Sequence, residues 1–336
     1  MTRKPLTEDS ILKRILASCR PLSGSGVRQS IAVGIGDDAA ILRPTYKCET
    51  ILTCDWFLEG THFLRHKHPP DSVGWKCLAR AVSDIASMGG TPRCFLLSLA
   101  LPASLTGPWL DAFLAGLRRA SGKFGCALAG GDTTRRDDVL INVTVFGEVK
   151  TGRAVLRSGA RVGDTLYVSG RLGEAELGLR ILKQTKKPAP ATNPLTRKHL
   201  YPEPRVALGR WLSGARLASS MMDISDGLSS DLPRLCAASR VCARLELARI
   251  PGVRVPKEAS LEGIDSTRLA LHGGDDYELL FTVPPHLVQI VPVSFQGVPL
   301  TSIGTITRGR NLVILEDGGR KQELVASGWD PFRNKL

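Results

Sequence analysis

The chain of 336 residues is 43% hydrophobic and 23% charged, ordinary proportions for a globular protein with room for one large or two medium cores. No apolar run approaches the ~18 residues of a membrane span, and none follows Met1-Thr2-Arg3-Lys4-Pro5, so neither a membrane segment nor a secretory leader is expected and the location reads as cytoplasmic. A net charge of +13 invites nucleic acid, but Lys and Arg are dispersed and aromatics make up only 5%; a generally basic surface without a nucleic-acid partner is the expectation.

In chain order, an amphipathic helix is predicted within residues 1–22, then a strand at 31–35 that ends in Gly36-Asp37-Asp38, and a strand at 50–53 reaching Asp55. A helix over 71–88 opens at Asp71-Ser72, keeps Trp75, Leu78, Val82 and Ile85 at helical spacing, and stops at Gly89-Gly90. A strand at 95–101, a helix at 106–123 and strands at 126–129 and 139–149 complete a first domain, taken as 1–150. The pattern then restarts in a second domain, 151–336, with strands at 165–168, 221–224, 242–247, 279–283, 302–306 and 312–315. Helices are predicted there at 172–182, 204–212, 227–239 and 266–272, with 184–194 as a loop. The fold class is therefore α/β of the α+β type, in two domains.

Eight cysteines lie scattered without a Cys-x-x-Cys pair, which argues against structural zinc and for free thiols in a reducing compartment. More telling are nine aspartates in six runs beside glycines or at strand ends. They are Gly36-Asp37-Asp38, Thr53-Cys54-Asp55, Ser83-Asp84-Ile85, Gly130-Gly131-Asp132-Thr133, Asp223-Ile224-Ser225-Asp226-Gly227 and Gly273-Gly274-Asp275-Asp276-Tyr277. Glycine lets a ligand approach the backbone, and carboxylates supply the hard oxygens that Mg²⁺ prefers. Each run alone reads as turn chemistry. Asp84 is harder to set aside, because it stands in a helix among Ala81, Val82, Ile85 and Ala86. The 223–227 run falls where a strand hands over to a helix, whose N–H groups can bind phosphate.

The usual phosphate devices are missing: there is no P-loop, no Gly-x-Gly-x-x-Gly after the first strand, no protein-kinase signature and no His-Glu-x-x-His. Arg65-His66-Lys67-His68 lacks a third ligand nearby and reads as a solvated loop. A nucleotide would then be held through Mg²⁺ bridges to carboxylates, each ion taking one or two of them plus phosphate oxygens.

These runs, in this order, together with Glu59-Gly60-Thr61-His62-Phe63, Arg157-Ser158-Gly159-Ala160 and Gly328-Trp329-Asp330, resemble the thiamine-monophosphate kinase family. That family shares a superfamily with aminoimidazole ribonucleotide synthetase and selenophosphate synthetase, and the resemblance covers essentially the whole chain. It implies transfer of the ATP γ-phosphoryl group to thiamine monophosphate, by direct in-line displacement assisted by several Mg²⁺ ions, in thiamine diphosphate biosynthesis. By the same match Asp38, Thr53, Cys54, Asp55, Asp84, Asp132, Asp223 and Asp226 would hold metal; Gly131, Asp132, Arg157 and Ser225 would contact ATP; and His62, Asp275 and Trp329 would contact thiamine monophosphate. The resemblance also implies a homodimer through the N-terminal domain and an ATP site in the cleft, with no catalytic side-chain nucleophile. Cys54, Asp275 and Pro331 stand where the family usually has threonine or serine, glutamate and histidine. Two alternatives stay open: another ATP-dependent synthetase of the superfamily, or a basic, non-catalytic anion- or nucleic-acid-binding protein.

Overall fold

The computed structural model describes residues 8–18, 30–35, 39–184, 193–255, 264–309 and 313–332. The chain divides into two compact units, the first formed by Met1–Ile85, Gly90–Gly152 and Leu182–Asn193, the second by Ala86–Gly89, Arg153–Ile181 and Pro194–Leu336.

The first unit opens with helix α1 (Glu8–Ser18) and a short antiparallel pair, β1 (Ile31–Val33) and β2 (Ile41–Leu42). Its body is a four-stranded sheet of β3 (Cys48–Leu58), β4 (Thr91–Leu101), β5 (Ala127–Arg135) and β6 (Leu140–Lys150), in the order β3-β6-β4-β5. Helices α2 (Pro70–Ser87) and α3 (Pro108–Phe124) bury Val73, Leu78, Val82 and Ile85, and Leu110, Phe113, Leu114 and Leu117. The strands follow the two-residue alternation of a sheet buried on one side. On β3, Ile51 and Phe57 are buried whereas Leu52 and Trp56 are 61% and 57% exposed. Leu52 pairs with Phe146 and Trp56 with Asn142, so the second face of the sheet carries apolar side chains in the open.

The second unit is built on an eight-stranded sheet whose main path runs β14-β13-β9-β12-β7-β10-β8. These are β7 (Thr165–Ser169), β8 (Ser220–Ile224), β9 (Cys242–Glu246), β10 (Glu278–Val283), β12 (Val298–Thr307), β13 (Val313–Asp317) and β14 (Arg320–Glu323), with β11 (Ser294–Phe295) paired to β12. Its helices are α4 (Glu174–Gln184), α5 (Pro194–Leu200), α6 (Val206–Gly214), α7 (Leu228–Ser239) and α8 (Ser266–His272). Leu166, Val168, Met222 and Ile224 join the buried leucines of α7 on one side. Tyr167, Met221, Leu279 and Phe281 join Leu208 and Leu212 of α6 on the other. A sheet buried on both faces accounts for β8 and β10 being buried at every residue, polar ones included, rather than at alternate ones.

Two expectations change in a way that matters for the site. The strand expected at 50–53 continues to Leu58, and the one at 126–129 continues to Arg135, so Asp55 and Asp132 sit inside strands and not in turns. Both strands are edges of their sheet, where polar side chains reach water. Residues 194–200, with Pro194 at the front, form α5, which the Lys- and Pro-rich composition upstream had masked.

Candidate active site

In the first unit, Thr53 and Asp84 meet: the Thr53 hydroxyl donates to Asp84 Oδ2 at 2.5 Å, joining the middle of β3 to the last turns of α2. Asp55 lies two residues further along β3 on the same face. The Cys54 side chain points the other way, with Sγ 3.1 Å from Asn142 Nδ2, so its backbone carbonyl is the oxygen it could offer a hard cation. Asp132 does not join the group. Ser98 pairs with both Asp132 and Asn142, and Asn142 with Trp56, which sets Asp132 on the open face of the sheet. It stands on the opposite edge from Asp55, roughly 14 Å away at normal strand spacing. Gly131 beside it is required by contact rather than by a turn, since a Cβ there would fall 1.9 Å from Leu97 O. Asp38 lies outside the described residues.

His62 is fixed in orientation and tautomer. Its Nδ1 accepts from Leu58 N–H at 3.0 Å, leaving the ring proton on Nε2. The turn that carries it is closed by Gly60 N–H to Phe63 O at 2.8 Å, by Glu59 accepting from Val139 N–H at 2.9 Å, and by the ion pair of Glu59 with Arg65.

In the second unit five expected residues converge on one turn. Ser225 and Asp226 follow β8 directly, and Asp223 is buried at its end. Asp275 N–H donates to Ser225 O at 2.7 Å and Tyr277 N–H to Ile224 O at 2.9 Å, which lays the 273–277 loop against the turn. Trp329 N–H donates to Asp226 O at 2.9 Å. The approach is close enough that a Cβ on Gly328 would lie 2.0 Å from Asp226 O, which explains the glycine before the tryptophan. Arg157 is remote from this cluster: Leu156 O accepts from Met221 N–H at the start of β8, about 13 Å from Ser225 by strand rise.

Residues that the sequence did not single out hold this turn. Asp231 of α7 is fully buried, and its Oδ2 accepts the N–H groups of Ser225, Asp226 and Gly227 at 3.0, 3.0 and 3.1 Å. The expectation that these amides would face a phosphate is therefore corrected for three of them, because an acid one turn into the helix satisfies them first. Burial and the neighbouring Asp226 push the Asp231 carboxyl up to about 6, against the pull of those N–H groups and of Arg234. Arg234 Nη1 donates to Asp231 Oδ1 at 2.7 Å and to Asp226 Oδ2 at 2.5 Å. The available signal was an aspartate standing among Leu228, Leu232 and Leu235, on the apolar face of its own helix.

Asp275 adopts φ +66°, a left-handed conformation that aspartate tolerates better than most residues. Its Oδ1 accepts from Tyr277 Oη at 2.7 Å, and Oδ2 lies 3.8 Å from His199 Nδ1. Beneath it, buried Glu278 accepts from Ser169 at 2.5 Å and Arg205 at 2.5 and 2.7 Å, and from Lys198. Burial would raise this carboxyl, but the two cations outweigh burial and hold it at about 2.

Asp276 accepts from Gly173 and Ala175 N–H at 2.6 and 3.1 Å, and burial pushes it up to about 7 despite Lys198 and those bonds. A carboxyl that titrates higher in the folded chain than in the unfolded one adds stability that is full below about 3.8 and is lost as pH rises through about 7. The melting midpoint of Asp276→Asn relative to wild type should therefore improve between pH 5.5 and 8. A difference that stays flat across that range would overturn this assignment.

Among the described residues, no three His, Cys, Asp or Glu side chains gather closely enough to hold an ion by themselves. The donors nonetheless fit Mg²⁺: carboxylates and a hydroxyl in ones and twos leave positions for water and phosphate oxygens. At Asp226 a guanidinium already occupies a cation's place.

Residues 36–149 match the family model of the AIR synthase related protein N-terminal domain, and residues 161–316 match that of its C-terminal domain. The thiamine-monophosphate kinase of Escherichia coli (strain K12) is 38% identical over 310 residues, covering 91% of this chain and 93% of the relative. The crystal structure of thiamine-monophosphate kinase from Stenotrophomonas maltophilia K279a superposes with a TM-score of 0.79 at 34% identity, over 94% of this chain and 98% of that one. A solved complex named AaThiL with AMPPCP and TMP gives a TM-score of 0.73 at 31% identity, over 96% of each chain. Matched in both halves and along nine tenths of its length, the chain belongs to the thiamine-monophosphate kinase family.

Proposed function

We propose that this protein transfers the γ-phosphoryl group of ATP to thiamine monophosphate, giving thiamine diphosphate, by direct in-line displacement. The observation that carries this reading is the convergence of Asp223, Ser225, Asp226, Asp275 and Trp329 on the single turn after β8. AMPPCP and TMP are bound together in the relative of similar fold. Magnesium, when bound, would neutralise the charge that develops on the transferred group. Thr53, Asp55 and Asp84 would hold it in the first unit, with Cys54 offering its carbonyl from β3 and Asp132 its carboxylate on the open face of the sheet, and Asp223 and Asp226 would hold it in the second. Asp38 joins this set by resemblance alone. Gly131, Arg157 and Ser225 would contact the nucleotide, with Arg157 reaching the end of ATP away from Ser225.

The acceptor is a phosphate monoester with a second pKa near ~6, mostly dianionic at neutral pH, so no strong base is needed to activate it. Positioning carries the chemistry. The fixed Nε2–H of His62 would donate to the substrate phosphate, the Trp329 indole would face the cationic thiamine, and Asp275, held by Tyr277, would pair with it. A homodimer joined through the first unit is supported by the exposed Leu52 and Trp56, with neighbouring Phe146, on one face of its sheet, and the cytoplasm is its proposed location. The first test is product formation from ATP, Mg²⁺ and thiamine monophosphate, with thiamine as the control acceptor. Thiamine diphosphate should form from the monophosphate only. ATP hydrolysis without it would keep the nucleotide site and remove the substrate assignment.

A further inference from the structure

Taking Asp226 as a cation ligand, as proposed above, we infer that Arg234 is an internal counter-ion that competes with the divalent cation for Asp226 and so sets how much metal the site requires. One guanidinium nitrogen, Nη1, serves both Asp226 Oδ2 at 2.5 Å and Asp231 Oδ1 at 2.7 Å. The two carboxylates differ in every other respect. Asp231 is 0% exposed and spends its second oxygen on three backbone N–H groups, so it is anchored. Asp226 is partly exposed, and the Arg234 side chain is 47% exposed, so this half of the bridge can open into water. A cation arriving at Asp226 takes over one of two arginine contacts. The guanidinium keeps the other, on Asp231, and the turn is not unmade, because the three amides remain on Asp231 Oδ2.

The arrangement works in both directions. Without metal, Arg234 relieves the repulsion between two carboxylates that share one turn. With metal, the same charge must give way, which weakens cation binding by the strength of a half-exposed ion pair. That strength corresponds to about fivefold in affinity. Arg234 is a positioning residue in this scheme, since it acts through Asp226 and touches no reactant.

The test uses Mn²⁺ as the probe on the full-length, nucleotide-free protein, with free Mn²⁺ read by electron paramagnetic resonance and melting midpoints recorded beside it. Arg234→Gln should tighten Mn²⁺ binding about fivefold. It should also lower the midpoint in the absence of metal and recover more of it when metal is added. Arg234→Lys, which keeps the charge on a shorter side chain with a single nitrogen, should fall between Gln and wild type. Asp226→Asn, made in the wild-type and the Arg234→Gln backgrounds, should remove the gain. If Asp226→Asn weakens Mn²⁺ binding but Arg234→Gln leaves it unchanged or weaker, the competition is refuted while Asp226 stands as a ligand. If Asp226→Asn changes nothing, the metal assignment of Asp226 falls, and the role of Arg234 with it.

Discussion

Asp84→Asn is expected to lower kcat/KM for thiamine diphosphate formation about 10³-fold, roughly 4 kcal/mol in the barrier, with a melting midpoint within about 2 °C of wild type. The substitution keeps size and shape, and an amide oxygen can still accept the Thr53 hydroxyl that now lies 2.5 Å from Asp84 Oδ2. What it removes is the negative charge, and a cation's affinity depends on that charge more than on the hydrogen bond. The Mg²⁺ concentration for half-maximal rate should rise with it. Thr53→Val, which deletes the hydroxyl and leaves the carboxylate, should cost about tenfold. Activity within a few-fold of wild type, with unaltered Mg²⁺ dependence, would reduce Thr53–Asp84 to a structural tie between β3 and α2.

The second large effect is on stability. Glu278→Gln should cost about 3–5 kcal/mol, because it leaves the charges of Lys198 and Arg205 largely buried against a neutral partner. A change of that size should lower the melting midpoint by about 10 °C. Replacing the set together, with Glu278→Leu, Lys198→Met and Arg205→Met, should restore part of the loss, since an apolar trio strands no charge. The wild-type advantage has a pH signature. Glu278 titrates lower in the folded chain than in the unfolded one, so its contribution is full above about 4.5 and vanishes as pH falls to about 2. The same change should raise KM for thiamine monophosphate, because Glu278 follows the loop that carries Asp275 and Tyr277. Equal stability of Glu278→Gln and wild type at neutral pH would mean that the two cations reach water.

Secondary structure was legible wherever one face of an element is apolar. The helix over 266–272 is found at the expected residues, and α2 begins and ends one residue before the expected limits. Gly130-Gly131-Asp132 reads as a turn on composition, yet it runs through an edge strand, its second glycine demanded by the backbone of β4. The residues of the candidate site were legible as Asp/Gly runs, but their faces were not. Thr53 and Cys54 are neighbours in sequence and stand on opposite sides of a sheet, a distinction that needed the full length of β3. Partners distant in sequence were illegible altogether. Nothing near Glu278 announces Lys198, 80 residues away, and the ties of Asp231 to the turn depend on the bend of the chain into α7.

Asp231 has a consequence for which form of nucleotide the protein admits. Three amides at the turn are already spoken for from inside the chain, so a bare polyphosphate arriving there meets acidic side chains and loses three of the donors that a helix entrance ordinarily offers. If the nucleotide binds here as proposed, uncomplexed ATP would be discriminated against, and the metal-laden form would be the one the turn accepts. On the proposed reading, the metal would then act as the nucleotide's admission ticket: it can settle on the carboxylates by itself, whereas nucleotide without it finds little to hold.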